Sequence, residues 1–152
     1  MSRRALLYSK RVLAFITFLA VIYTLIMCNL LFFSGRAPGV NYQYNLVPFE
    51  TIRPLLLERE RYSTEAWIKN LFGNIVLFIP LGIWIPWLFH GYRSWFRLTF
   101  IVVLILLLVE TIQLITRVGS LDVDDIILNT VGAWIGFAGF RLLIGSPRKT
   151  RS

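Results

Sequence analysis

The run LTFIVVLILLLVETIQLIT, residues 98–116, holds one charged side chain, Glu110, in 19 positions. A helix crosses the hydrocarbon core of a bilayer with about 20 predominantly apolar residues. The run is therefore read as a membrane span, closed at its two ends by Arg97 and Arg117. Working outward, three more runs have the same character: 12–33, 71–89 and 126–145. The four spans take about half of the chain, and no segment between them is long enough for a separate soluble domain. The expected fold is all-α, an integral membrane four-helix bundle forming one domain over 1–152.

Composition agrees. Of the 152 residues 57% are hydrophobic, above the roughly 45–50% of soluble domains, and the mean hydropathy is +0.67. The net charge of +8 would suit a nucleic-acid binder, but in a membrane protein a basic excess belongs to cytoplasmic loops, so no nucleic-acid partner is expected. Cys28 is the single cysteine, so no intramolecular disulfide can form. Arg3, Arg4, Lys10 and Arg11 precede the first run as in a signal peptide. That run is longer than a signal core and no small-x-small site follows it, so it is read as a retained span.

Charge sets the orientation. The segments 1–11, 90–97 and 146–152 hold nine Lys or Arg in 26 residues, whereas 34–70 and 117–125 hold six in 46. The positive-inside rule then puts both termini in the cytoplasm. Arg141 lies within the last span one turn from its inner end, where it can snorkel to the headgroups. Every acidic residue except Glu110 falls in the two outer loops. Trp84, Trp87, Tyr92 and Trp95 mark the inner interface, and Tyr42, Tyr44, Tyr62 and Trp67 the outer one, as amphipathic rings do.

The outer loop 34–70, 37 residues long, is the one sizeable element outside the membrane. It opens on a breaker-rich stretch, 34–39. Residues 55–61 are read as a short interfacial helix, and Ser63 or Thr64 as the cap of a helix running into the second span. Pro80 falls in the middle of that span and is expected to kink it.

Polar groups inside a bilayer are costly and need partners. Gln113 and Arg117 follow Glu110 at i+3 and i+7, which puts all three on one helix face. Asp122, Asp125, Asn129, Gly132 and Gly136 form a second stripe at spacings of three and four. Gly132 and Gly136 make a G-x-x-x-G, which lets membrane helices approach closely. Asn74 lies near the outer end of the second span, and Asn29 near that of the first. Together these imply a polar pocket open to the outside, lined by Asn74, Glu110, Gln113, Asp125 and Asn129, with Arg117 and the segment 45–52 as its cover. A plainer account stays open: one of Asp122, Asp124 and Asp125 caps the fourth helix, and the amides are interhelical hydrogen-bond partners.

No cofactor is indicated. The segment 122–125 lacks the Gly and Glu that complete a calcium loop, and His90, the sole histidine, is expected on the inner side. A phosphate-cradling glycine loop is absent as well.

Four blocks in order resemble the VanZ-like family, named for the teicoplanin-resistance accessory protein of glycopeptide-resistance clusters. They are NLVPF at 45–49, GNIVLFIPLG at 73–82, ETIQ at 110–113 and DVDDIILNTVG at 122–132. They span most of 45–136 and bring Asn45 and Pro48 among the candidate site residues. The resemblance implies a small bacterial cell-membrane protein, in some members linked to reduced susceptibility to lipid-bearing glycopeptides. It carries no catalytic residue with it. Three functions stay open. The first is a non-enzymatic envelope protein that binds membrane lipid, a lipid-linked cell-wall precursor or a lipophilic glycopeptide. The second is an enzyme acting on a lipid headgroup, with Glu110 as acid or base and Asp122 and Asp125 holding a divalent cation. The third is a structural subunit of a homo- or hetero-oligomeric complex.

Overall fold

A computed structural model describes residues 9–34 and 38–144. The expectations for Arg3, Arg4, Arg36, Gly145, Arg148, Lys149 and Arg151 fall outside the described residues.

Four helices are long and apolar enough to cross a membrane. The first, α1 (Lys10–Phe32), starts at Ser9, whose Oγ accepts from the Val12 N–H at 3.4 Å. A short helix, α2 (Ile52–Leu57), and a 3-10 turn (Arg59–Arg61) follow in the outer loop. The second long helix, α3 (Thr64–Leu88), carries a π-turn at Lys69–Gly73. The last two are α4 (Trp95–Thr116) and α5 (Val123–Ile144). Each helix begins before the apolar run that announces it, because polar residues can make the backbone hydrogen bonds of a first turn as well as apolar ones. The largest difference is in α3. Ser63 Oγ accepts from the Ala66 N–H at 3.2 Å and starts the helix at Thr64, seven residues before the apolar run. The helix continues through Pro80 and Pro86 to Leu88.

The central helix is α5. Half of its apolar window is buried, against 11% for α1. It packs along α3, and there the small residues act. A Cβ added to Gly132 would overlap the Ile75 carbonyl, one on Gly136 the Ile79 carbonyl, and one on Gly82 the Ala133 carbonyl. Glycine on both helices lets the two backbones touch, the arrangement that holds helices together where lipid removes any hydrophobic drive. Ile126, Ala133, Phe137 and Phe140 of α5 share one buried core with Leu98, Val102 and Leu106 of α4. Trp95 stacks edge-on against Phe137 at 4.7 Å.

Helix α1 lies at the edge, with Ile16 and Met27 as its buried residues. Two polar links hold it. Tyr23 donates its hydroxyl to the Leu77 carbonyl at 2.6 Å, beside the carbonyl of Val76, which Pro80 deprives of its helical donor. Gln113 Nε2 donates to the Leu31 carbonyl at 2.9 Å.

The loop between α1 and α3 is tied down, where it is described, rather than laid loosely on the surface. Two residues, β1 (Tyr44–Asn45), pair in parallel with β2 (Leu121–Asp122), and Gly39 N–H donates to the Arg117 carbonyl at 2.8 Å. Helix α2 runs over Ile52–Leu57 and gives way to the 3-10 turn at Arg59, so it starts three residues before, and ends before, the helix expected over 55–61. It turns Ile52 and Leu55 inward, with Ile52 packed beside Leu71 and Leu128. Trp67 Nε1 donates to the Leu55 carbonyl at 2.7 Å, and the Arg59 guanidinium lies 4.8 Å over the Trp67 ring.

Candidate functional site at the head of the bundle

The segment that gives the outer loop its shape, 45–52, has few ways to satisfy its own backbone. Pro48 has no N–H, and Phe49 is held at φ 68°, a left-handed conformation that a bulky residue adopts only when its surroundings impose it. The imposing group is Asp124. Its carboxylate accepts from the backbone N–H groups of Phe49 at 2.6 Å, Thr51 at 2.7 Å and Ile52 at 3.0 Å. Thr51 precedes α2 without a side-chain cap of its own, so a residue more than seventy positions away supplies the cap. Asp124 is fully buried, and three donors on one carboxylate are what makes an anion tolerable there.

Asp122 does two things beside it. Its Oδ1 accepts from the Asp124 N–H at 2.9 Å, so Asp122 is the residue that caps α5. It also accepts from Asn45 Nδ2 at 3.0 Å and from the Thr51 hydroxyl at 2.8 Å. Asn45 in turn accepts from the Val47 N–H at 3.0 Å, closing an Asx turn just before Pro48. On α4, Glu110 Oε2 accepts from the Asp122 N–H at 3.2 Å. On α3, Asn74 Nδ2 donates to Asp125 Oδ1 at 2.5 Å. Three long helices and the loop thus converge on the segment 122–125.

The sequence stripes are therefore brought to one end of the bundle, with two departures. Arg117 does not continue the Glu110 face. It ends α4 in the left-handed conformation, φ 57°, and its guanidinium turns to the loop, where it donates to the Val40 carbonyl at 3.3 Å and lies 4.5 Å over the Tyr42 ring. Asn29 is exposed on α1. Glu110, Gln113 and Asn129 are buried, between 3% and 4% exposed, so they line no surface open to solvent. Asn129 Oδ1 and Thr130 Oγ1 are buried on α5 and have no hydrogen-bond partner among the described residues.

The residue that the sequence reading left out of the site is Asp124. It falls off the three-and-four stripe of Asp122, Asp125 and Asn129, and its partners are backbone groups, which carry no sequence signature. An acid inside a block shared with a family was the available signal.

What is open is a cleft of about 530 Å³ on the loop itself. Val47, Pro48, Phe49, Pro54 and Leu57 give its apolar wall, and Glu50, Arg53 and Glu58 its polar rim. Among the described residues no group of three or more His, Cys, Asp or Glu side chains is placed to hold a metal ion.

Fold and site together define a multi-pass membrane protein of four helices, with its longest loop bound into one end of the bundle. The chain belongs to the VanZ/LLP1 family, whose model matches residues 15–144. It is 29% identical over 94 residues to Protein VanZ of Enterococcus faecium, an alignment covering 62% of this chain and 58% of that protein. No solved structure matches it.

Proposed function

We propose that this chain is a non-enzymatic protein of the bacterial cytoplasmic membrane, with both termini inside. Its outer head binds a lipophilic or lipid-linked envelope molecule and thereby lowers susceptibility to lipid-bearing glycopeptides such as teicoplanin. The observation that carries the reading is the cleft on the loop. Apolar side chains beside Glu50, Arg53 and Glu58 suit a molecule with an acyl part and a polar head. The buried carboxylates of Asp122 and Asp124 are then the support that holds the cleft in shape. Membership of the VanZ/LLP1 family supports the resistance role.

Expression in a susceptible host is expected to raise the tolerated teicoplanin concentration several-fold and to leave tolerance to a glycopeptide without a lipid tail unchanged. Phe49→Ser, at matched membrane levels, is expected to abolish the gain. No gain with the unaltered chain, or an equal gain for both drugs, overturns the reading.

Orientation is tested separately. A phosphatase reporter that works only outside the cytoplasm is expected to be active when inserted within 58–62. It is expected to be silent within 90–93 or after residue 152. Activity at the C-terminus overturns the arrangement with both ends inside.

A further inference from the structure

The opposite end of the bundle carries a second feature, independent of the loop cleft. Helix α4 starts there, roughly 33 Å from its Thr116 end at 1.5 Å per residue over 22 residues. A cavity of about 320 Å³ opens at this start, lined by His90, Gly91, Arg93, Ser94 and Arg97. Both arginines are held by backbone. Arg93 Nε donates to the Pro86 carbonyl at 2.9 Å, and Arg97 donates one guanidinium N–H to the Gly91 carbonyl at 2.9 Å. Each is thus oriented before any ligand arrives, and a guanidinium has five N–H donors in a planar fork. The Ser94 hydroxyl makes no capping bond to the helix that follows it. No Asp or Glu occurs in the sequence between Glu65 and Glu110.

Directly along the same helix runs an apolar groove of about 260 Å³, lined by Phe96, Thr99, Phe100, Val103, Leu104 and Leu107. Arg97 stands at i−3 from Phe100 and i−7 from Leu104, so the cationic cavity and the groove share a side of α4. Phe96 and Phe100 are among the exposed aromatic residues of the protein, 80% and 64%.

A cationic cavity at the start of a helix whose adjoining face carries an apolar groove matches one kind of molecule. We infer that this end of α4 is a binding site for an anionic phospholipid, with the phosphate taken by Arg97, Arg93 and Ser94 and one acyl chain lying along Phe96, Phe100, Leu104 and Leu107. Charge complementarity selects the headgroup, since basic pockets beside membrane helices take anionic lipid heads. The groove distinguishes a lipid from a free anion. The site shares no residue with the loop cleft, so it stands whether or not the resistance reading holds.

The test uses the full chain, purified in mild detergent and presented with phosphatidylglycerol or phosphatidylcholine of the same acyl composition, with bound lipid counted by native mass spectrometry. Phosphatidylglycerol is expected to be retained about tenfold more strongly, and Arg97→Gln to remove about that factor, the worth of one charge-assisted contact. Arg97→Lys is expected to restore part of it, which a merely structural role for Arg97 would not predict. A large excess of inorganic phosphate is expected to leave the lipid in place. Equal retention of the two lipids overturns the inference, as does unchanged selectivity in a folded Arg97→Gln protein. Displacement of the lipid by inorganic phosphate overturns it too and makes the cavity a simple anion site.

Discussion

Replacing Asp124 by Ala is expected to release the loop between α1 and α3 at a cost of roughly 3–5 kcal/mol. The carboxylate accepts three backbone N–H groups, from Phe49, Thr51 and Ile52, and hydrogen bonds to a charged group contribute about 1.5–3 kcal/mol each. The total falls short of their sum because a freed loop can turn its N–H groups to water. The loss has a local signature. Phe49 is no longer held at positive φ and α2 loses its cap, so limited proteolysis within 46–57 should become fast while the long helices stay intact. Asp124→Asn keeps the shape and one good acceptor, so an intermediate effect is expected. Thr51→Val removes the hydroxyl that donates to Asp122 at 2.8 Å and leaves the Asp124 bonds in place; about 1 kcal/mol is expected. Asp124→Ala with an unchanged cleavage rate would show that the latch does not hold the loop.

Gly136→Leu is expected to prevent correct assembly of the bundle. Even a single Cβ at this position overlaps the Ile79 carbonyl and comes within 3.3 Å of the Gly82 Cα. Both neighbours are backbone, which cannot swing aside as a side chain can, so the helices must separate. Overpacking of this sort costs about 1–3 kcal/mol or more in a close-packed interior. Parting α3 from α5 also strips the contacts that replace the hydrophobic drive in a bilayer. Gly136→Ala is expected to lower thermal stability in detergent clearly, and Gly136→Leu to leave little folded protein. The control lies one turn along the same helix. A Cβ on Gly139 meets nothing within 4 Å, so Gly139→Ala should be neutral or stabilising by up to about 1 kcal/mol through helix propensity. Equal stability of Gly136→Ala and Gly139→Ala would mean that the α3–α5 contact is not close.

The two results probe different kinds of information. The glycines stand in a stripe with Asn129 at spacings of three and four. Helical geometry turns such a stripe into a face without further knowledge, and that face meets α3. The latch is different. Asp122, Asp124 and Asp125 are adjacent acids at the start of a span, and helix capping explains any of them locally. Their division of labour is set elsewhere: Asp122 caps α5 and holds Asn45 and Thr51, Asp124 caps α2, and Asp125 takes Asn74. The loop and α3 partners lie between 51 and 77 residues away in the chain, and those of the Asp124 carboxylate are main-chain N–H groups, which every residue but proline carries.

The amino-acid sequence by itself determined four membrane-length helices, the ends at which their polar residues gather, the small-residue face of the last helix and the family blocks. Each follows from a local rule, since length, periodicity and charge act within one segment. Only the tertiary structure decided that Asp124 holds the loop, that Arg117 turns out of its helix face toward Val40 and Tyr42, and that Glu110 and Gln113 are buried rather than open to solvent. A carboxylate in a low-dielectric interior is governed by whichever donors the fold brings within 3 Å of it, and that meeting depends on how the loop crosses the head of the bundle.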